Sequence, residues 1–150
     1  MPRASFGLPV YNGAAFLRET LESILAQTAT DFELIISDNA STDATPHILE
    51  EYAARDNRVK LLRSDRNVGA VANFRAVFEA ATGEFFAWAG DHDVYQRTWL
   101  AECIYALEDR PRAVLAYPWS VTISRSGDII KRNRLSGDTI GLDGYARVSV

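Results

Sequence analysis

The chain has one cysteine, Cys103, in 150 residues, so no disulfide can hold it together. At this length none is needed, because a fold of 150 residues buries roughly 70% of the surface its unfolded chain exposes. Cys103 lies at helical spacing among Leu100, Ile104 and Leu107 and reads as a small core residue, which makes a reducing, cytoplasmic compartment its easier home. There is no apolar run near the roughly 20 residues needed to span a bilayer, and no signal-peptide pattern at the amino end. Excess positive charge is also lacking. A net charge of −4 argues against a nucleic-acid partner, which would demand a basic face. Lysine is scarce, two against fourteen arginines, a bias that carries no functional weight. Internal repeats, low-complexity tracts and clear linkers are absent too, and the chain is expected to form one domain over residues 1–150.

Short apolar runs alternate with amphipathic stretches as far as residue 117, the pattern of an α/β fold with a mainly parallel sheet between helical layers. Strands are predicted at Ala4 to Val10, Phe32 to Ser37, Val59 to Leu62 and Glu84 to Ala89. The intervening helices carry Leu17, Leu21, Ile24 and Leu25, then Ile48, Leu49, Tyr52 and Ala53, then Val71, Phe74, Val77, Phe78 and Ala81 on their inward faces. Thr45-Pro46 suits an N-cap followed by proline in the first turn. Phe85, Phe86 and Trp88 suit a strand covered on both faces. A helix from about Thr98 to Glu108 precedes strands near Ala113 to Tyr117 and Trp119 to Ser124, with a Ser126-Gly127-Asp128 turn into Ile129 to Arg132. Ser136 to Val150 shows no strong periodicity. The cluster Arg125, Lys131, Arg132 and Arg134 reads either as a solvated hairpin surface or as peripheral contact with the inner face of a membrane or an anionic lipid-linked acceptor.

In a parallel sheet flanked by helices, ligands bind at the carboxyl ends of the strands. The first strand leads into Pro9-Val10-Tyr11-Asn12-Gly13 where a dinucleotide-binding fold would show Gly-x-Gly-x-x-Gly, which counts against a dehydrogenase. Pro9 and Tyr11 could form a flat wall for a planar base, with Asn12 giving polar contacts or capping the next helix; plain turn chemistry explains them as well. Asp38 follows the second strand and can accept a ring N–H of a base or merely cap its loop, while Thr42 and Asp43 read as loop and cap residues. Asp91 and Asp93 stand two apart in an extended segment and project to the same side, so they can share a divalent cation with a diphosphate, with His92 between them.

Pro9-Val10-Tyr11-Asn12, Ser37-Asp38-Asn39-Ala40-Ser41-Thr42-Asp43, Arg66-Asn67-Val68-Gly69 and Gly90-Asp91-His92-Asp93, taken jointly and in this order, resemble the family 2 glycosyltransferases of the GT-A fold over roughly residues 4 to 125. The resemblance implies a three-layer α/β/α sandwich of the nucleotide-diphospho-sugar transferase type. It implies that Pro9, Tyr11 and Asn12 line a nucleotide-sugar pocket, that Asp38 contacts the base, and that Arg66 and Gly69 shape the pocket's side. Asp91 would approach the ribose or the metal, and Asp93 would be the metal ligand nearest the diphosphate, the cation being Mn2+ or Mg2+.

By the same likeness, the reaction is inverting transfer of a sugar, of hexosyl type, from a nucleoside-diphosphate sugar to an acceptor hydroxyl. Saccharide or lipid-linked acceptors in cell-wall or other polysaccharide biosynthesis are common in the family. The catalytic base of such enzymes lies well downstream of Asp-x-Asp, and the chain reaches Val150 before an acceptor-binding section could be complete. Asp138 and Asp143 are too close to the motif to be assigned as base. The expectation is therefore a donor-binding portion that binds nucleotide, transfers sugar slowly at most, and leaves apolar surface that favours a homo-oligomer. Two other classes remain open: a non-catalytic nucleotide-sugar-binding module, and a phosphatase or phosphotransferase with an Asp-x-Asp nucleophile.

Overall fold

The computed structural model describes residues 1–124 and 126–133. The chain divides into two compact units, Met1–Val114 and Leu115–Val150. The first unit runs β1 (Ala4–Val10), α1 (Leu17–Leu25), β2 (Phe32–Asp38), α2 (Thr45–Arg55), β3 (Val59–Arg63), α3 (Ala70–Glu79), β4 (Phe85–Trp88) and α4 (Trp99–Glu108). Its strands form a wholly parallel sheet in the order β3-β2-β1-β4. This is the α/β sheet that the alternation of apolar runs predicts.

Strand alternation assigns the two faces. Phe6, Leu8 and Val10 of β1 and Phe32, Leu34 and Ile36 of β2 pack with Leu17, Leu21 and Ile24 of α1, Ile48, Leu49 and Tyr52 of α2 and Leu100 of α4 in one buried cluster. The opposite face of β1 takes α3, whose Val77 reaches over Gly7. Sheet and two helical layers make the three-layer sandwich. The end of the sheet away from the strands' carboxyl termini is tied by Glu33 of β2, which is buried. Its Oε1 accepts from Ser5 Oγ at 2.6 Å, the Thr82 amide at 2.7 Å and the Thr82 hydroxyl at 2.8 Å, and Oε2 accepts from Lys60 Nζ at 2.5 Å. Burial opposes the Glu33 charge, but these donors outweigh it and hold the carboxyl down at about 2.

Three sequence expectations need correction. Of the α3 stripe only Val77 is buried, together with Asn73, while Val71, Phe74 and Phe78 are exposed. Trp88, expected to be covered, is 47% exposed; Phe74 and Phe78 gather around it, with ring centroids 5.1 and 6.3 Å away. The reason is position: β4 is an edge strand of the described sheet, and periodicity records apolar residues without recording what lies beyond the edge. Residues 113–117 form no strand, and Val114 and Leu115 are exposed, because an apolar run becomes a strand only where a ladder partner exists. Cys103 is half-buried on α4, its thiol pushed up by burial and by the charge of Glu102.

The second unit holds an antiparallel hairpin of β5 (Ser120–Ile123) and β6 (Ile129–Asn133), irregular between Thr122 and Ile123. Lys131 and Arg132 are exposed on β6; Arg125 and Arg134 lie outside the described residues, as do Asp138 and Asp143. No helix among the described residues is long and apolar enough to cross a membrane.

Candidate functional site

The carboxyl ends of β1 and β2 open into loops that are stitched to each other. Asn12 takes a left-handed backbone with φ 54° and turns the chain. Its amide donates to Ser41 Oγ at 2.9 Å, and its side-chain Oδ1 accepts the Thr42 amide at 2.8 Å. The Gly13 amide donates to Thr45 Oγ1 at 2.9 Å, and the Ala14 amide to Asp43 Oδ2 at 3.1 Å. Asp43 Oδ1 meanwhile accepts the Thr45 amide at 2.9 Å. Burial opposes the Asp43 charge, yet the Thr45 and Ala14 donors lower its pKa overall, so it stays a carboxylate. Thr45, expected as the N-cap of α2, instead lends its hydroxyl to Gly13, and Ala44 takes the cap position without a side-chain bond. The third loop joins through Asn39, which is buried: Nδ2 donates to Asn67 Oδ1 at 3.0 Å, and Oδ1 accepts the Val68 amide at 2.8 Å.

The segment after β4 closes against this frame. Asp91 Oδ2 lies so near Gly13 that a β-carbon there would stand 2.3 Å from it. Asp91 Oδ1 is 2.9 Å from His92 Nδ1. The hydrogen bond to Asp91 raises the His92 pKa against burial, and the charges of Asp93 and Asp91 add to it. The Asp93 carboxylate folds back over Gly90, 2.7 Å from where a β-carbon on that residue would sit. Tyr95 anchors the loop from below: its ring packs edge-on against Phe6 and Trp99, its amide donates to Ser23 Oγ at 3.1 Å, and its hydroxyl accepts the Gly90 amide at 3.4 Å. Burial, with the nearby Asp93 charge, pushes that phenol up to about 12, so it remains a neutral hydroxyl. A cleft of about 280 Å³ results, lined by Asn12, Gly13, Ala15, Phe16, Asp91 and His92.

Of the residues singled out in the sequence, the cleft brings together Asn12, Asp91 and His92. Tyr11 stands at its β1 end with 47% of its surface exposed. Asp38 is buried at the end of β2, paired in register with Val10, and its Oδ1 accepts the Ser41 amide at 3.0 Å. Pro9 lies inside β1 opposite Ser37. Arg66 and Gly69 occupy the β3–α3 loop, exposed; Gly69, with φ 85°, starts α3 in a conformation that favours glycine. Asp93 is exposed beside the cleft and does not line it. Sequence reasoning passed over Phe16 and Asn73, and gave Gly13 and Asn39 a place in a motif but no role of their own. Asn73 left a readable signal, a polar residue four before Val77 on the buried stripe of α3.

Among the described residues no group of three or more histidine, cysteine, aspartate and glutamate side chains converges to hold a metal ion. The donor set therefore does not fit a cation caged by protein alone. It fits a hard cation held by one or two carboxylates that completes its shell with phosphate oxygens and water, the habit of magnesium in phosphate sites. The carboxylates of the β4 loop are Asp91, which lines the cleft, and Asp93, exposed beside it.

Residues 5–144 match the family described as Glycosyl transferase family 2, and the chain belongs to that family. Among its relatives is EpsH of Bacillus subtilis, a candidate glycosyltransferase, 42% identical over 93 residues that cover 61% of this chain and 26% of EpsH. An uncharacterised glycosyltransferase of Haemophilus influenzae is 27% identical over 139 residues, 91% of this chain and 43% of that protein. The chain thus spans about a quarter of the first relative and less than half of the second. Two solved structures share the fold at 26% identity over 73% of this chain. One is S. aureus TarS 1–349 in complex with UDP-GlcNAc, with a TM-score of 0.67 and 32% of that chain covered. The other is the mannosyltransferase PcManGT from Pyrobaculum calidifontis in complex with GDP-Man and Mn2+, with a TM-score of 0.66 and 33% covered. The GT-A expectation holds.

Proposed function

We propose that this chain binds the nucleoside-diphosphate-sugar donor of a metal-dependent, inverting glycosyl transfer to a saccharide or lipid-linked acceptor. The observation that carries the reading is the Asp91 carboxylate seated on Gly13, which puts an acidic group from the β4 loop into the cleft framed by the β1 and β2 loops. The solved relatives in complex with UDP-GlcNAc and with GDP-Man and Mn2+ support the donor class and the cation.

In this reading the exposed Tyr11 ring stacks on the base, and Asp38 accepts a ring N–H while Ser41 fixes its other side. Asn12 and Gly13, locked by Ser41, Thr42 and Thr45, form a wall that need not reorganise on binding. Asp91 and Asp93 would hold Mn2+ or Mg2+. When bound, such a cation stabilises negative charge on the departing diphosphate and orients it. Transfer also requires a base to deprotonate the acceptor. Asp128 sits in the hairpin turn, bonded to Ser126 Oγ at 2.7 Å, and carries no sign of that role.

A non-catalytic nucleotide-sugar-binding module shares all these features except turnover. A phosphatase would place its Asp-x-Asp after the first strand, whereas here β1 leads into Tyr11-Asn12-Gly13. The test is calorimetric titration of nucleoside diphosphates with and without Mn2+ or Mg2+. Cation-enhanced binding is expected, and no binding of any nucleoside diphosphate overturns the reading.

A further inference from the structure

Asn73 of α3 is 4% exposed and reaches through the sheet's open end to two strands at once. Its Nδ2 donates to the Val10 carbonyl at 3.3 Å and to the Ser37 carbonyl at 3.1 Å. Val10 is the last residue of β1 before Tyr11, and Ser37 immediately precedes Asp38. The Val10 carbonyl also accepts the Asn39 amide at 3.0 Å, and the Asn39 side chain holds Asn67 and Val68 of the third loop. One side-chain amide thus ties the exits of β1 and β2, adding a donor to the Val10 carbonyl, which already accepts the Asn39 amide, and to the Ser37 carbonyl. Asn73 Oδ1, equally buried, has no partner among the described residues, so the two donated bonds are what the side chain contributes there.

We propose that Asn73 is a positioning residue that sets base discrimination in the nucleotide site, by fixing the strand ends from which Tyr11 and Asp38 project. It touches no part of the cleft, so its effect passes through those two residues. The proposal rests on the nucleotide-binding reading. Stacking by Tyr11 and acceptance by Asp38 require placement within a fraction of an ångström, and two bonds to adjacent carbonyls supply it. Diphosphate contacts at Asp91 and Asp93 come from the β4 loop, anchored separately by Tyr95.

The test is calorimetric titration of UDP, GDP, CDP and ADP, each with Mn2+, on the wild-type chain and on Asn73→Ala. The expected result is about a tenfold loss for the preferred base and less than about a threefold loss for the least preferred, so that discrimination collapses while diphosphate-driven affinity persists. Equal losses for all four nucleotides mean a merely structural role and overturn the proposal. So does a wild type that binds all four alike, or a variant that discriminates as well as wild type. A wild type that binds none of the four overturns the nucleotide reading itself, and this proposal with it. If Asn73→Ala does not fold, Asn73→Ser, whose hydroxyl can serve one carbonyl only, is read by the same criterion.

Discussion

The Asp91 carboxylate rests directly on Gly13, so close that a β-carbon on Gly13 would lie 2.3 Å from Oδ2 and 2.7 Å from Val10 Cγ2. Two residues 78 positions apart in the chain thus define one wall of the cleft. Gly13→Ala must push Asp91 outward, since Val10 on the other side is a fully packed core residue. The expected outcome is at least about a tenfold loss of Mn2+-assisted nucleoside-diphosphate affinity with little loss without metal. Calorimetry with and without the cation checks it; equal losses in both conditions would place Asp91 outside the cation site.

Asp93 is exposed and contributes little to the core, so Asp93→Ala should leave stability within about 0.5 kcal/mol of wild type. It should abolish the cation's enhancement of diphosphate binding. Paired metal titrations and urea unfolding read the two effects separately. Undiminished cation enhancement removes Asp93 from the site.

Tyr11→Ala removes an exposed ring rather than a packed one. Nucleotide binding should weaken by about 1–3 kcal/mol with or without metal, because stacking on a base does not depend on the cation. Asp38→Asn keeps an acceptor for the Ser41 amide and should change which base is preferred more than overall affinity. Wild-type affinity for every nucleotide in Tyr11→Ala would move the base pocket elsewhere.

The Glu33 cluster predicts a pH dependence. Its carboxyl is lowered from 4.5 in the unfolded chain to about 2 in the fold, so its contribution is fully present above pH 4.5 and is lost as pH falls toward 2. The shift corresponds to roughly 3 kcal/mol. Urea unfolding at a series of pH values should show this loss in the wild type, and Glu33→Gln should flatten it over the same window. Identical pH profiles for the two proteins would show that Glu33 is not the linked group.

The sequence determined the elements of the sandwich and most of their bounds. Strands β1 to β4 and helices α1 to α4 each carry their own periodicity, and periodicity is a local property that the chain displays before it folds. Motif order also placed Tyr11, Asp38 and Asp91 at strand exits, because a parallel sheet puts all those exits at one end. Tertiary structure alone decided three things. It chose which residues meet: Gly13 with Asp91, Thr45 with Gly13, and Asn73 with both Val10 and Ser37 are contacts across long separations that no spacing rule encodes. It left Phe74, Phe78 and Trp88 exposed, since the same apolar stripe is buried or bare according to what lies beyond the sheet edge. It also denied a strand to residues 113–117, because apolar sequence supplies the side chains of a strand while only a neighbouring backbone supplies its hydrogen bonds.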